Sequence, residues 1–147
     1  MNLLKLKADL RVDEGLRLKA YPDPISKDGN PITIGYGQTG PGIVKGLVWT
    51  KAQAEHALTN KVASIILALD RRIPWFRKMN DVRQGVLAQM AYQMGIDGLL
   101  KFHMTLMYAR MGFYGLAADQ MMKSLWSRQT PGRAKRLAEE MRTGVWK

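Results

Sequence analysis

Apolar residues recur along this chain with two different periods. Leu3, Leu4, Leu10 and Val12, set among lysines and arginines, predict a short first helix that stops near Glu14-Gly15, glycine being a common helix terminator. From Leu16 the period drops to two. Leu16, Leu18 and Ala20 alternate with Arg17, Lys19 and Tyr21, the pattern of a half-buried strand. Pro22-Asp23-Pro24 is turn chemistry, and Asp28-Gly29 is a hairpin signal ahead of the β-rich run Ile32-Thr33-Ile34. Gly35, Gly37, Gly40 and Gly42, with Pro41, predict a flexible loop after it. From Thr50 onward the period is helical. Thr50-Lys51-Ala52-Gln53 fits a capping box. Val62, Ile65, Ile66, Leu69 and Ile73 mark one face of a helix that Pro74 ends. Asn80 or Asp81 caps the next helix, whose face is Val82, Val86, Leu87, Met90 and Met94 and which Gly95 should stop. Shorter helices are expected over about 103–111 and 114–126, and a last one over about 132–142 after the Thr130-Pro131 break.

These elements predict an α+β fold that is mainly α. The 147 residues make a single domain. A small N-terminal lobe of about 12–60 holds a short β-hairpin sheet, and a larger all-helical lobe covers about 72–147. The 1–11 helix is assigned to the larger lobe, and a helix of about 60–72 joins the two. The ten methionines fall mostly at helical spacing and read as core filler, since thioether side chains pack irregular gaps well. No internal repeat or low-complexity tract is present.

Composition narrows the function classes. With 46% hydrophobic and 24% charged residues the chain is globular rather than disordered. Its longest strongly apolar run, Val62 to Leu69, is far below the roughly 20 residues of a membrane span. No signal peptide is expected, because Lys5, Lys7 and Asp9 break up the leucines at the start. Cysteine is absent, which removes disulfides, a thiolate nucleophile and Cys-based zinc sites. His56 and His103 have no metal-motif spacing, so neither metal nor cofactor is expected. The net charge of +11 calls for an anionic partner or surface, unless it serves solubility alone. It is uneven: residues 1–70 carry +2 and residues 71–147 carry +9. Nucleic acid fits poorly, because the cations are scattered and no groove-reading or stacking motif appears. The stretch from Met121 to Lys147, at +5, has Leu125, Trp126, Leu137, Met141 and Trp146 as apolar partners. It reads either as a basic amphipathic segment for an anionic bilayer or as a C-terminal helix packed into the core.

Three polar residues in the short β region carry candidate chemistry. Glu14 closes a helix among Val12, Gly15 and Leu16, where partial desolvation favours a protonated carboxyl suited to general-acid work. Asp23 is held between two prolines. Thr33 offers a strand hydroxyl that both donates and accepts. Two carboxyls in different environments and a hydroxyl to position water are what inverting glycoside hydrolysis requires. Each residue taken singly has an ordinary reading: a helix-end charge, a turn residue, a strand filler.

The strings that contain these residues are far more specific. Asp13-Glu14-Gly15-Leu16-Arg17-Leu18-Lys19-Ala20-Tyr21-Pro22-Asp23, followed by Ile32-Thr33-Ile34-Gly35-Tyr36-Gly37, closely resembles phage lysozymes of the T4 type, glycoside hydrolase family 24. Tyr92-Gln93-Met94-Gly95, then Trp126-Ser127-Arg128-Gln129-Thr130-Pro131-Gly132-Arg133-Ala134-Lys135-Arg136, then Arg142-Thr143-Gly144-Val145-Trp146, extend the resemblance in the same order over nearly the whole chain. The resemblance implies a lysozyme-like fold and hydrolysis of the β-1,4 bond between N-acetylmuramic acid and N-acetylglucosamine in peptidoglycan. Glu14 would be the acid, Asp23 the second carboxylate and Thr33 the water-positioning hydroxyl, with Arg133 pairing with Glu14. Thr39, Tyr92, Gln93, Thr105 and Gln120 fall where the family contacts sugar. A monomer is implied, made in the host cytoplasm and acting on the wall in the periplasm after a separate membrane pore (a holin) releases it. An anionic wall or outer-membrane surface is the partner that the charge suggests. Two departures stand out. The segment Pro24 to Pro31 is longer than the family pattern, which makes Asp28 a rival to Asp23. Gly37-Gln38 stands in place of the family's Gly-His, so no histidine ion pair forms there. The competing readings are a lytic transglycosylase, which needs one glutamate and no positioned water, and a basic protein that binds walls or disrupts membranes.

Overall fold

The computed structural model describes residues 1–24 and 26–147; Ile25, in the loop after Pro24, lies outside them. The fold is α+β and mainly α, as expected. The described chain divides into two compact units, residues 4–63 and residues 1–3 with 64–147. The first helix, α1 (Leu3–Glu14), therefore belongs almost entirely to the small unit and not to the large helical one. Its Leu6 and Leu10 are fully buried.

In the small unit α1 is followed by β1 (Arg17–Tyr21) and β2 (Thr33–Gly35), which pair antiparallel with Arg17 opposite Gly35 and Tyr21 opposite Thr33. The alternation in β1 does form a strand, but Leu16 and Leu18 remain exposed. The strand is instead hydrogen-bonded along both edges. Trp49 N donates to Leu18 O (2.8 Å) and Ala20 N donates to Leu47 O (2.9 Å), pairing that the sequence pattern did not indicate. The glycine-rich stretch is also less of a loop than expected. Ile34 and Gln38 exchange two backbone hydrogen bonds (3.0 and 2.8 Å), closing a tight hairpin directly after β2. The long helix α2 (Lys51–Arg72) opens with the expected capping box. Gln53 N donates to Thr50 Oγ1 (3.2 Å), and Thr50 N donates to Gln53 Oε1 (2.7 Å). The helix thus runs from Lys51, well before the 60–72 span read as the connection.

One carboxylate ties three parts of this unit together. Glu55 of α2 receives a two-pronged contact from Arg11 of α1 (Nε to Oε1 3.0 Å, Nη2 to Oε2 2.8 Å) and the hydroxyl of Tyr36 (2.8 Å). The Arg11 and Tyr36 donors hold the Glu55 carboxyl below its ordinary range. Desolvation, followed by the Glu55 contact, raises the Tyr36 phenol.

The large unit is built around α3 (Asp81–Leu100), which is apolar on nearly all sides and buries Val82, Val86, Leu87, Met90, Tyr92 and Leu99. Asn80 caps it by accepting from Arg83 N (3.0 Å). Gly95 was expected to stop this helix and instead kinks it: it takes φ 78°, ψ 161°, and the helix resumes to Leu100. After α3 come α4 (His103–Arg110), α5 (Tyr114–Met122), α6 (Leu125–Gln129) and α7 (Pro131–Thr143). The single helix expected over 114–126 is broken at Ser124, whose hydroxyl accepts from Ser127 N (3.2 Å) and so starts α6. Helix α7 packs against α3, α5 and α6. Leu137, Met141 and Trp126 are buried in that packing, as the core reading of the basic C-terminal stretch expects, while Leu125 of the same stretch is exposed. Arg83 completes the end of α7, its guanidinium donating to Met141 O (2.7 Å) and Arg142 O (3.1 Å), while Asn80 Nδ2 donates to Gly144 O (3.1 Å). The methionines split. Met90, Met121 and Met141 are core residues, but Met104, Met107, Met111 and Met122 are exposed.

Two outcomes follow. A Cβ at Gly85 would stand 2.7 Å from Cη2 of Trp146. Gly85→Ala should therefore destabilise the protein, despite a helix-propensity gain of about 1 kcal/mol. In a Trp146→Ala background the same change should turn stabilising, and urea unfolding of the four variants reads the sign. Glu55→Gln should cost about 1 kcal/mol at neutral pH, because the pair is about one-third exposed and partly screened. Since the folded Glu55 carboxyl lies below its unfolded value, its contribution is complete above that value and fades as pH falls through the folded one. Thermal melts from pH 7 down to about pH 3 should show the difference between wild type and Glu55→Gln shrinking in acid.

Candidate active site

Glu14 is the last residue of α1. Gly15 terminates the helix in the left-handed region (φ 68°), its N–H donating to Arg11 O (3.0 Å), so the chain turns sharply into β1. The half-buried Glu14 side chain lies against the hairpin after β2. A Cβ at Gly37 would come within 2.8 Å of its Oε2 and 3.4 Å of its Cδ. Gly37 also has φ 79°, so both its backbone and the space above it require glycine. The Arg11–Glu55–Tyr36 contacts hold the two sides of this approach. Arg11 lies one turn before Glu14, and Tyr36 precedes Gly37.

Thr33, half-buried at the start of β2, belongs to the same hairpin. Its hydroxyl makes a long contact of 3.5 Å to Pro31 O. Asp23 begins the loop between the strands. Its N–H donates to Gly29 O (2.8 Å), closing that loop at its base, and its side chain is half-buried. Asp28 at the exposed tip is committed locally, accepting from the Ser26 hydroxyl (2.5 Å) and from Asn30 N (2.9 Å). The Ser26 contact first, then Asn30, lowers its carboxyl below the ordinary range. The longer loop thus has an internal use for its extra carboxylate. Thr39 is exposed just beyond the hairpin, and Gln38 is buried.

The remaining expected residues lie in the large unit. Tyr92 is buried in α3. Gln93 Oε1 accepts from the Trp126 indole N–H (2.8 Å), and the Trp126 ring meets Phe102 edge-on at 5.9 Å. Phe102 in turn lines a cavity of about 340 Å³ together with Thr105 and Gln120. The structure therefore brings Thr105 and Gln120 together and links Gln93 to them through two aromatic rings. Lys101, His103 and Lys123 border the same cavity. Sequence reasoning did not single them out, because their convergence depends on how α4 meets the end of α5. Arg133 sits half-buried in the first turn of α7. Among the described residues, no three His, Asp or Glu side chains converge as metal ligands.

Comparison with known proteins bears on the whole assembly. The family model described as phage lysozyme matches residues 11–140. The pre-baseplate central spike protein Gp5 of Enterobacteria phage T4 is 33% identical over an alignment covering 92% of this chain and 27% of that protein. Two Dictyostelium discoideum proteins, named probable T4-type lysozymes 1 and 2, are 30% and 25% identical, over 48% and 97% of this chain. The chain thus spans about a quarter of the spike protein and two-fifths of the first Dictyostelium protein, but nearly all of the second. A match that runs from the turn before Glu14 into α7 shows that the chain belongs to the phage lysozyme family.

Proposed function

We propose that this protein is a lysozyme that hydrolyses the β-1,4 bond between N-acetylmuramic acid and N-acetylglucosamine in peptidoglycan, and so lyses the host cell. The observation that carries this reading is the Glu14 carboxyl pressed onto Gly37 of the hairpin that also bears Thr33, within a chain of the phage lysozyme family. Glu14 is the general acid. It donates its proton to the glycosidic oxygen as the bond to the anomeric carbon breaks. The Asp23 carboxylate, with the Thr33 hydroxyl, holds a water on the opposite face of the sugar. The water's oxygen attacks the anomeric carbon and its proton leaves to the carboxylate, giving an inverted hemiacetal. The family resemblance gives Arg133 a supporting role. Thr39, Tyr92, Gln93, Thr105 and Gln120 are the sugar-contacting residues that the resemblance implies. The protein works as a monomer, made in the host cytoplasm and reaching the periplasmic wall after a separate pore opens the membrane. These last statements rest on family resemblance.

Three variants test the chemistry. Glu14→Gln keeps the shape of the side chain but cannot donate the proton, and turnover should fall at least about 1000-fold while the melting temperature is unchanged. Asp23→Ala should lower activity heavily and Asp28→Ala should not, because Asp28 serves its own loop; lysis of chloroform-treated Gram-negative cells reads both. A reducing muramic acid end among the products is expected. A 1,6-anhydro end would mean transglycosylation and would overturn the role given to Asp23 and Thr33.

The charge gives a separate expectation. Residues 71–147 carry +9, and long-range attraction to wall carboxylates and envelope phosphates acts over roughly 10 Å at about 0.1 M salt. Lysis of exposed walls should fall several-fold across a salt series, while cleavage of a short neutral chito-oligosaccharide stays nearly constant. Reversing the exposed Arg128 and Lys135 to Glu should imitate high salt. Arg136 is unsuitable for this test, since its guanidinium donates to the buried Gln89 (2.9 Å).

A further inference from the structure

A second cavity of about 440 Å³ lies in the large unit, lined by Arg72, Pro74, Trp75, Lys78 and Arg110. Pro74 ends α2, and a 3-10 turn (Phe76–Lys78) follows. Phe76 is fully buried and carries the packing of that turn, which leaves Trp75 half-exposed beside it. A large indole at such a position is unusual unless its face or its N–H is used. Among the described residues, the Trp75 indole N–H has no hydrogen-bond partner, unlike that of Trp126, which donates to Gln93.

The cations around it are equally uncommitted. Among the described residues, the side chains of Lys78 and Arg110 form no ion pair or hydrogen bond. Arg72 has one acidic neighbour, Asp97, at 3.6 Å, and both side chains are more than half exposed, so the contact is weak and readily exchanged. Asp70, the other carboxylate near the end of α2, is already held by Arg77 (2.8 and 3.1 Å). Two helix C-termini, of α2 and α4, come to this cavity, and each is favourably complemented by a cation. That accounts for Arg72 and Arg110. It does not account for Lys78 or for the indole between them.

We propose that this cavity is a binding site for a phosphorylated sugar, separate from the residues assigned to glycoside hydrolysis. The indole face carries partial negative charge and takes the C–H face of a pyranose ring. Arg72, Lys78 and Arg110 take the phosphate, whose oxygens and two charges match several cations where a carboxylate would occupy only one. Every polar side-chain group in the cavity is a donor. A sugar phosphate offers acceptors to all of them and keeps its hydroxyl protons directed at water. A nucleobase would present ring-edge donors with no side-chain acceptor to meet them. The ligand could be displayed by a phosphorylated glycolipid or by a soluble polymer with sugar-phosphate repeats; both present the same chemistry. Either would hold the protein on an envelope surface.

The test uses the full chain and four probes: glucose 6-phosphate, glucose, inorganic phosphate and AMP, followed by calorimetry and tryptophan fluorescence. Glucose 6-phosphate should bind at least tenfold more tightly than phosphate, and glucose should not bind in the same range. Trp75→Phe should reduce glucose 6-phosphate to the level of phosphate while leaving phosphate binding unchanged. Lys78→Gln and Arg110→Gln, both at exposed positions, should each weaken the two anionic probes about tenfold, and Lys135→Gln should not. Co-sedimentation with vesicles bearing a phosphorylated glucosamine lipid, and with a soluble sugar-phosphate polymer, identifies the source; loss of either interaction in Trp75→Phe supports the site. Equal binding of phosphate and glucose 6-phosphate, tighter binding of AMP, or an equal effect of Lys135→Gln would overturn it. So would failure of both the vesicles and the polymer to bind.

Discussion

The small unit depends on a single carboxylate that three chain segments share. Glu55 lies on α2, yet the guanidinium it receives belongs to the last turn of α1 and the hydroxyl to the residue before Gly37. That convergence fastens the last turn of α1 to the residue before Gly37. Partly desolvating two charged groups and a phenol together is unfavourable unless their hydrogen bonds are met. Here the fork geometry of arginine meets both carboxylate oxygens, and the phenol adds a third donor. Glu14 follows one turn further along α1, beside the segments that these contacts join.

A second constraint is the absence of side chains where elements touch. Trp49 lies over Gly35 as Glu14 lies over Gly37: a Cβ at 35 would sit 2.8 Å from the Trp49 ring. The same hairpin thus accepts a tryptophan on one glycine and a carboxylate on another, two residues apart. Both glycines have positive φ, so the turn that brings the strand back also opens the space the neighbours fill.

Local chemistry made much of this fold legible. Gly15, the Thr50–Gln53 box, Asn80 and Pro131 each mark a helix end through interactions within a few residues, and each stands where the sequence put it. The elements that escaped depend on distant partners. Nothing near Leu47 shows that it will lie beside Ala20, and nothing near Arg136 shows that it reaches Gln89. Ser124 lies inside the single helix expected over 114–126, but its hydroxyl captures an amide and divides that helix. The exposed methionines of α4 follow the same logic, since period alone does not say which face meets a neighbour. For the site, Glu14, Asp23 and Thr33 stood out as residue types in a short β region, whereas Thr105 and Gln120 came only from family resemblance and share a cavity through tertiary packing.

The closure between α3 and α7 has a consequence for the order in which the large unit assembles. Asn80 and Arg83 bind the carbonyls of Met141, Arg142 and Gly144, about sixty residues later in the chain. Until those carbonyls arrive, the Arg83 guanidinium lacks its acceptors and the buried helix lacks the wall that α7 supplies. Loop closure over that span costs more entropy than any contact within α4 to α6, so the local helices can form early while the central one waits. During synthesis α3 would emerge long before its cover, leaving an apolar surface that needs shielding while the remaining helices are made.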